Sequence, residues 1–458
     1  MSNKENPKRK TTSNGESKSR QKKASTGNGA GPYLIVAYLF VGMFVALIGY
    51  LVYFNVTMKE EYLNSSYNSR QNNYAKRVVR GSILSSDGQE LAVTQSGEDG
   101  NETRVYPYGE MFAHTVGYTG KGNSGLESAY NYTLMESHIN PLEQLKNDFQ
   151  EKKDPGDNLI TTLDTRLTQA AYDALGNYNG AVLALEPKTG RVLVDVSKPT
   201  FDPNTIEEDW ESLNSDNESG VFLNRALQGQ YPPGSTFKIV TALAFLREHG
   251  TLDDFSFECS GELEAGNYTI HCAGGEVHGS EDFYSAFANS CNAAFSSIGL
   301  SLDKTKFNSL ADSLNLNGKL NLELPSSRSR FSIDETTADA LMMQTSIGQG
   351  NTLVTPMEMA LIVSAIANGG ELMQPYFVDR VESSEGTKVK EYKPTSLGTV
   401  MSSEEASILT ELMQGVVQNG TARSLSDLGY DIAGKTGSAE HGDNSEPTHS
   451  WFVGFSNA

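Results

Sequence analysis

The sequence predicts an α+β protein in which one transmembrane helix precedes a small, mainly β domain and a larger domain of helices around an antiparallel sheet. Three observations lead to this prediction. An uncharged apolar run occupies 33–56, short strand-like runs separated by glycines follow it, and from residue 159 strand-like runs lie at both ends of a block of helical ones. A chain of 458 residues is long enough for this arrangement.

The charge distribution restricts the function. The chain contains 57 acidic and 36 basic residues, with a formal net charge of -21, which argues against a nucleic-acid partner because phosphate binding requires a basic surface. Basic residues gather instead in the first 32 residues, among Ser, Asn and Gly and with few large apolar side chains. This composition predicts a disordered, basic tail at 1–32.

A membrane-spanning helix is predicted at 33–56, because this uncharged run, at about 1.5 Å of rise per residue, can cross a hydrocarbon core of roughly 30 Å. The run is longer than the apolar part of a cleaved signal peptide, and a buried core helix is the remaining alternative. Lys8, Arg9 and Lys10 precede the run, and basic clusters stay in the cytoplasm. The chain is therefore predicted to be a single-pass protein of the cell membrane, with its N-terminus cytoplasmic and everything after Val56 extracytoplasmic.

Two folded domains are predicted after this helix. Residues 57–158 are polar and rich in Asn and Tyr, with strand-like runs and glycine-marked turns, which is typical of a small, mainly β pedestal next to the membrane. Residues 159–458 begin with an amphipathic helix whose apolar side includes Leu167 and Ala174, followed by two strands joined by a Pro/Gly turn. Strand-like runs return at the end of the sequence, so we expect one antiparallel sheet closed by its first and last strands.

The sequence does not decide the chemical state of the three cysteines. An oxidising compartment permits a disulfide between Cys259 and Cys272, across a Gly-rich stretch suited to a hairpin. Together with His271 and His278 the same pair could instead bind zinc, but the spacing matches no standard zinc pattern. The third cysteine is Cys291. The sequence therefore favours a disulfide or free thiols, and it predicts neither a metal site nor a cofactor.

The stretch "YPPGSTFK" contains the strongest candidate for chemistry. Ser235 precedes Lys238 by three residues, which on a helix brings the hydroxyl and the amine to one face. The preceding Pro-Pro-Gly cannot continue a helix backwards, so Ser235 is placed at a helix N-terminus, where free amides favour an oxyanion. The apolar residues after Lys238 indicate a buried helix, and burial lowers the pKa of a lysine toward that of a general base. A capping serine followed by a surface lysine is the alternative.

Serine acyl-transferases with such a pair also carry S-x-N and K-T-G motifs, and this chain has two candidates for each. "SDN" at 215–217 precedes Ser235 in a polar stretch, whereas "SCN" at 290–292 follows it at the end of a helical run. "KTG" at 188–190 occupies a Pro/Gly turn, whereas the copy at 435–437 lies in the strand-like "DIAGKTGSAE". We therefore assign the later copy of each motif to the site.

With these motifs the sequence resembles the class B penicillin-binding proteins, the membrane-anchored peptidoglycan D,D-transpeptidases, over about residues 33–458. "RGSILSSDGQELA" and "GLESAYN" resemble signatures of the family's N-terminal domain. "NRALQGQYPPGSTFK", "IGQGNTLVTPMEMA" and "AGKTGSAEHGDNSEPTHSWFVGF" resemble consecutive parts of its transpeptidase domain. The resemblance implies the penicillin-binding fold for 159–458, peptidoglycan stem peptides as substrates and β-lactams as covalent inhibitors.

The resemblance also implies a role for each motif residue. Ser235 forms an acyl-enzyme with a stem peptide ending in D-Ala-D-Ala, releases the last D-Ala and passes the acyl group to an amine. Lys238 is the base that takes the Ser235 proton, Ser290 relays a proton to the leaving amine, and Asn292 orients Lys238 and the substrate amide. Lys435 supplies positive potential.

Substrate contacts are implied along the strand that carries the last motif. Thr436 and Ser438 would bind the terminal carboxylate of the substrate or its β-lactam equivalent, and Gly437 belongs to the same binding strand. The backbone amides of Ser235 and Ser438 would form the oxyanion hole. This chemistry needs no metal.

The sequence departs from the family at two places. Family members have Asp-Arg-x-Gly in the first signature, whereas this chain has "SSDGQ", which lacks the arginine of an expected salt bridge in the pedestal. Members also continue past "WFVGF" into another strand and a terminal helix, whereas this sequence stops at Ala458. We therefore expect the C-terminal strand and helix to be missing from an incomplete sequence.

Other functions remain as alternatives to the transpeptidase. A β-lactam sensor of the same fold normally needs more transmembrane segments and a cytoplasmic effector, and a β-lactamase needs a base positioned for rapid deacylation. A catalytically silent scaffold is disfavoured by the intact motifs. As a partner, the resemblance suggests a SEDS-family glycan polymerase that binds the membrane helix and the pedestal, which carries no chemistry of its own.

Overall fold

The N-terminal unit of the structure is a long apolar helix. The computed structural model describes residues 30–58, 76–97, 100–216, 218–439 and 448–456, and the chain divides into the units 1–62 and 63–458. Helix α1, Ala30–Tyr53, continues into the short π-helical segment Phe54–Met58. The stretch Tyr33–Met58 has a mean hydropathy of 2.5 and is long enough to cross a membrane, which fits the predicted anchor. The predicted tail lies almost entirely outside the described residues.

Helices dominate the second unit. Its described α-helices, in chain order from α2 to α13, are Ala113–Val116, Gly125–Ala129, Pro141–Phe149, Thr165–Leu175, Ile206–Ser215, Lys238–His249, Phe283–Ala288, Asn292–Ser301, Lys304–Ser313, Asp339–Ser346, Pro356–Ala367 and Ser403–Gln418. Short 3-10 segments occur at Gly109–Phe112, Thr133–Met135, Gly234–Phe237, Ala273–Gly275 and Arg423–Leu428.

The strands of the second unit are short. From β1 to β20 they are Val78–Val79, Ile83–Leu84, Glu90–Ser96, Glu102–Val105, Thr119–Gly120, Gly122–Asn123, Asp154–Pro155, Asn158–Thr161, Gly180–Leu185, Val192–Lys198, Ser256–Cys259, Glu262–Ala265, Tyr268–His271, Gly279–Asp282, Glu371–Met373, Val378–Glu382, Lys388–Glu391, Ser396–Thr399, Ile432–Ala439 and His449–Ser456.

One six-stranded sheet combines strands that are far apart in the sequence. Its strand order is β17-β16-β8-β2-β3-β4, with a parallel β2–β8 pair among antiparallel neighbours. The sheet therefore joins strands of the predicted pedestal to β16 and β17 from within the predicted larger domain. Backbone hydrogen bonds connect these two segments of the chain directly.

The terminal strands of the larger domain form hairpins rather than the single closed sheet expected from the sequence. β9 pairs antiparallel with β10, and β19 pairs antiparallel with β20, but among the described residues no ladder joins the two hairpins. Each hairpin contacts α12 instead. The strand prediction was correct for all four segments, whereas the ladder expected between the first and last strands is not found among the described residues.

The amphipathic helix at the start of the larger domain forms as predicted, but its inner face was assigned wrongly. In α5, Leu167 is 48% exposed and Ala174 is exposed, whereas Thr165 and Thr168 are buried. The Thr168 hydroxyl donates a hydrogen bond to the carbonyl oxygen of Asp164 at 2.7 Å, so its polar atom is satisfied inside. Small threonines can therefore form a buried face that counting apolar residues misses.

Helix α7 forms the centre of the larger domain. Its residues from Lys238 to Leu246 are all buried, in contact with α9, α10 and α13. The sequence "KIVTALAFL" is apolar on all sides, as expected for a helix surrounded by protein. The helix ends at His249, and the next residue, Gly250, has a left-handed φ of 76°, which glycine adopts without strain. The core thus fixes the start of α7, directly after the turn that carries the candidate nucleophile.

A buried ion cluster stabilises the pedestal. The carboxylate of Glu127 is fully buried and accepts from Nε of Arg80 and from Nε of Arg104, both at 2.7 Å. Arg80 also donates to the side-chain oxygen of Asn131. Although "SSDGQ" lacks an arginine, these two arginines provide the pedestal with a salt bridge that the sequence had put in doubt.

Candidate active site

Ser235 lies on a tight turn directly before the buried helix. It belongs to the 3-10 segment Gly234–Phe237 and is half-buried, whereas its neighbours in that segment are buried. Gly234 has a φ of 54°, and a Cβ at this position would approach the carbonyl oxygen of Ser438 to 2.6 Å. A Cβ at Gly437 would approach Cγ2 of Thr236 to 2.9 Å. The two glycines therefore let the Ser235 turn pack directly against β19.

Lys238 begins α7 and is completely buried. Its ammonium group donates to the carbonyl oxygen of Ser290 at 2.6 Å, to Oδ1 of Asn292 at 2.9 Å and to the Ser290 hydroxyl at 3.2 Å. The ring of Phe295 lies 5.4 Å from its nitrogen. These contacts hold the amine in one place, one helical turn after Ser235.

Ser290 lies in the break between α8 and α9, and Asn292 directly follows this break. Ser290 has a left-handed φ of 58°, which is strained for a residue with a side chain, and this conformation turns the chain sharply between the helices. Asn292 is the first residue of α9, and its Nδ2 donates to the carbonyl oxygen of His271 at 3.0 Å. The break thus presents the Ser290 hydroxyl and the Asn292 amide oxygen to Lys238.

Lys435 completes the cluster from β19. It is fully buried, and its ammonium group donates to the Ser290 hydroxyl at 2.9 Å and to the carbonyl oxygen of Thr436 at 3.0 Å. The Ser290 hydroxyl therefore lies between the nitrogens of Lys238 and Lys435. Three separate segments of the chain meet at this one hydroxyl.

Burial changes the acidity of both lysines. Loss of solvation lowers the pKa of Lys238 to about 7, although the nearby Cys291, Cys272 and Glu281 favour its charged form. Burial, assisted by the charge of Lys238, lowers the pKa of Lys435 well below its ordinary value. At neutral pH a substantial fraction of Lys238 is therefore neutral and able to accept a proton.

The other predicted residues line the open side of the cluster. Thr436 is half-buried and Ser438 is exposed, while Gly437 between them is buried against the Ser235 turn. The Thr436 hydroxyl lies 2.5 Å from that of Thr421, a neighbour that no motif indicated. The alternation along β19 directs Lys435 and Gly437 inward and leaves the hydroxyls accessible.

The competing motif copies lie in ordinary structural positions. "KTG" at 188–190 forms the β9–β10 turn, where the Thr189 hydroxyl donates to Glu186. Ser215 ends α6 and donates to the carbonyl oxygen of Ser212, while Asn217 is outside the described residues. Lys304, in a second S-x-x-K, donates to the carbonyl oxygen of Thr337. The choice of the later motif copies therefore brings together residues that meet in space.

The three cysteines are free thiols in the structure, and all are buried. The sulfur atoms of Cys259 and Cys272 are 3.7 Å apart, so the disulfide considered from the sequence is not formed. Both lie close to Cys291, the middle residue of the S-x-N motif. This cluster adjoins the site and was not foreseen from the spacing of its members.

Comparison with known protein families and with individual proteins identifies relatives of this chain. Residues 180–458 match the penicillin binding protein transpeptidase domain, and residues 80–159 match the penicillin binding protein A dimerisation domain. The chain is 34% identical to the peptidoglycan D,D-transpeptidase PbpA of Mycolicibacterium smegmatis over 405 residues, which cover 82% of this chain and 80% of that protein.

Solved structures resemble this fold closely. The D,D-transpeptidase domain of a peptidoglycan glycosyltransferase from Eggerthella lenta superposes with a TM-score of 0.75 at 32% identity, covering 83% of this chain and 90% of that one. The ceftriaxone acyl-enzyme complex of penicillin-binding protein A from M. tuberculosis gives a TM-score of 0.77 at 30% identity, covering 84% and 91%.

Proposed function

This chain belongs to the penicillin-binding protein transpeptidase family and is a peptidoglycan D,D-transpeptidase, and we propose that Ser235 is its nucleophile. The observation that carries this assignment is the Ser290 hydroxyl, held between two buried lysines beside the Ser235 turn. Buried amines with lowered pKa values next to a half-exposed serine provide a base and a proton relay for acyl transfer.

In the acylation step, Oγ of Ser235 attacks the carbonyl carbon of the penultimate D-Ala of the stem peptide. Neutral Lys238 takes the hydroxyl proton, and the bond to the terminal D-Ala breaks. The proton passes through the Ser290 hydroxyl to the leaving amine, which departs as D-Ala. In the second step the amine of a neighbouring stem peptide attacks the ester, loses its proton to the same relay and frees Ser235.

The remaining assignments concern charge and binding. Lys435 supplies positive potential beside the Ser290 hydroxyl, to which it donates at 2.9 Å. Asn292 orients Lys238 through the contact at 2.9 Å. The backbone amides of Ser235 and Ser438 form the oxyanion hole, supported by the packing of their segments across Gly234. The hydroxyls of Thr436 and Ser438 bind the terminal carboxylate, and Gly437 lets these residues approach the Ser235 turn.

A mass measurement tests the nucleophile. The full chain, purified in detergent, is exposed to penicillin G and its intact mass recorded, beside Ser235→Ala and Ser301→Ala. Ser301 is the matched control, because it begins the other extracytoplasmic S-x-x-K. We expect one penicillin per chain in the wild type and in Ser301→Ala, and none in Ser235→Ala. An adduct that persists in Ser235→Ala would assign the acylation to another residue.

The domain organisation and orientation complete the proposal. A cytoplasmic tail at 1–32, a membrane helix at 33–56, a pedestal at 57–158 and a transpeptidase domain at 159–458 would place the catalytic site outside the cytoplasm. The apolar helix and the basic residues before it support this orientation. Protease added to intact spheroplasts should remove the catalytic domain and spare a tag at residue 1, whereas loss of the tag would reverse the orientation.

A SEDS-family glycan polymerase is the proposed membrane partner. The pedestal, whose buried ion cluster has no contact with the catalytic lysines in the described contacts, is available for docking rather than for chemistry. Photo-crosslinkers placed within 33–158 of the full chain should capture such a polymerase in membranes. Its absence from every crosslinked product would contradict this partner.

A further inference from the structure

The turn that carries Ser235 is held in place from two sides. On one side, backbone hydrogen bonds tie it to the segment that precedes α12. The N–H of Gly234 donates to the carbonyl oxygen of Gly348 at 2.9 Å, and Tyr231 and Val354 exchange two hydrogen bonds of 2.9 and 2.8 Å. On the other side lies the hairpin of β19 and β20, which contacts the same turn.

Trp451 connects the Ser235 turn to this hairpin. It lies on β20, where it is half-buried and pairs with Gly437 of β19. Its indole Nε1–H donates to the carbonyl oxygen of Pro232 at 3.1 Å. Its ring lies edge-on to that of Tyr231, with the ring centroids 6.3 Å apart. The side chain therefore reaches from the hairpin to the residue three positions before the candidate nucleophile.

The residues just before Ser235 offer few other polar groups by which the turn can be fixed. Pro232 and Pro233 have no N–H, so at these positions the backbone can accept hydrogen bonds but cannot donate them. Pro232 accepts from Trp451, and Pro233 accepts from the Thr236 hydroxyl at 2.8 Å. The second of these bonds is internal to the turn, whereas the bond from Trp451 reaches the hairpin.

We propose that Trp451 is a positioning residue that holds the two halves of the oxyanion hole together, a role that rests on the function proposed above for Ser235 and Ser438. Two N–H groups on different segments must point at one oxygen, about 2.7–3.1 Å from each. Gly234 and Gly437 allow the segments to approach closely, but they supply no side chain that could hold them together. The indole hydrogen bond supplies that connection.

The effect of this connection should appear in the transition state. As Oγ of Ser235 attacks, the electron pair of the carbonyl bond moves onto its oxygen, and fixed donors stabilise the negative charge. A shift of the turn relative to β19 would lengthen one of the two hydrogen bonds to this oxygen. Contacts that the bound molecule makes along β19 alone would change little. Loss of the indole N–H should therefore lower the acylation rate constant more than the affinity.

A purely space-filling role for Trp451 predicts a different result. Its ring packs against the main hydrophobic core, and large aromatic rings stabilise a fold by the area they bury. In that case the melting temperature would depend on the size of the ring, and the N–H would not matter to the reaction. Removal of the N–H from a ring of unchanged size separates the two roles.

The substitution Trp451→benzothienylalanine makes this change, because sulfur replaces the indole N–H in a ring of nearly the same shape. The full chain, made by codon suppression and purified in detergent, is compared with wild type and with Trp451→Phe. Penicillin G acylation followed up to saturating concentration separates the affinity from the acylation rate constant. We expect this constant to fall by about 10- to 100-fold in both variants, with the affinity within about threefold of wild type. The melting temperature of the benzothienylalanine variant should stay within a few degrees of wild type.

The other tryptophan of the chain provides the matched control. Trp210 packs against Tyr118 and Phe222 in a separate apolar cluster, so Trp210→Phe should leave the acylation rate constant unchanged. The sequence contains two tryptophans, so this variant also makes Trp451 the single tryptophan of the chain. Its fluorescence should then change with the same rate constant as the penicillin adduct appears.

Two results would overturn the role of Trp451. One is a wild-type acylation rate constant in the benzothienylalanine variant, and the other is fluorescence of Trp451 that stays constant while Ser235 is acylated. Peptide mapping of the adduct separates these results from a failure of the catalytic assignment. An adduct on Ser235 at the wild-type rate refutes only the positioning role, whereas an adduct on another residue refutes the nucleophile on which that role depends.

Discussion

The chain contains two buried clusters of charged groups that differ in how their charges are compensated. In the pedestal, one carboxylate lies between two guanidinium groups, those of Arg80 and Arg104. In the transpeptidase domain, Lys238 and Lys435 are both fully buried around one neutral hydroxyl. The first cluster pairs opposite charges, and the second places like charges together.

This difference appears in the pKa values. Burial alone would raise the pKa of Glu127, but the charges of Arg80 and Arg104 outweigh it and hold the pKa below its ordinary value. For Lys238 the effect of burial prevails, and the pKa falls to about 7. A charge with opposite partners stays ionised and stabilises the fold, whereas a poorly compensated one becomes available for proton transfer.

The largest expected effect is on catalysis, in Lys238→Met. We expect penicillin acylation to slow by about 10²–10⁴-fold, because the proposed general base is lost. The melting temperature should not fall by more than a few degrees. Removing a lysine whose pKa is lowered to about 7 recovers roughly 3–5 kcal/mol, which offsets the lost hydrogen bonds. Fluorescent penicillin kinetics and thermal unfolding of the full chain measure both quantities.

The exposed Lys188 of the other K-T-G provides a control, and Lys188→Met should change neither quantity. Severe destabilisation by Lys238→Met with an unchanged acylation rate in the folded fraction would contradict the comparison, since Lys238 would then be a structural residue.

The opposite pattern is expected in the pedestal for Glu127→Gln. This change leaves two buried guanidinium groups without a counter-charge and should lower the free energy of unfolding by about 3–5 kcal/mol. Acylation of the protein that remains folded should stay within about twofold of wild type. Denaturant unfolding and penicillin kinetics separate these effects. The exposed pair of Lys146 and Glu143 supplies the control, because Glu143→Gln should cost less than about 1 kcal/mol.

The sequence predicted which residues meet in the candidate site better than it predicted the surroundings of that site. Ser235 and Lys238 are local neighbours, and the turn and strand contexts selected the copies of the other two motifs whose residues meet around Lys238. In contrast, the pairing of Glu127 with Arg80 and Arg104 depends on separations of 47 and 23 residues. No local pattern encodes such contacts.

The same limitation explains the errors in the fold. The inner face of α5 is formed by threonines, whose burial depends on hydrogen-bond partners such as Asp164. The strands of both terminal hairpins were predicted, but only the first pair was predicted as a hairpin, and among the described residues no ladder joins the two pairs. The cysteine cluster required three strands and a helix terminus to be placed first. Periodicity and spacing describe one element at a time, whereas these features arise between elements.

The smallest expected effect comes from pH and separates the two clusters without mutation. As the pH falls from 7 to 5, protonation of Lys238 should slow acylation by roughly 50-fold. Cys291, Cys272 and Glu281 favour the charged form of Lys238, and Lys435 shares the Ser290 hydroxyl with it.

The fold should resist the same change. Because the folded pKa of Glu127 is below its ordinary value, its contribution to stability is complete above about pH 4.5 and is lost only as the pH falls through that lower value. Burial raises the pKa of Asp195 to about 6, so its protonation near pH 5 favours the folded state. Acylation rates and melting temperatures recorded across pH 5–8 should therefore diverge, with activity lost while the protein remains folded. If the acylation rate and the melting temperature fell together, the two clusters would respond to acid in the same way. That result would contradict the difference in charge compensation described above.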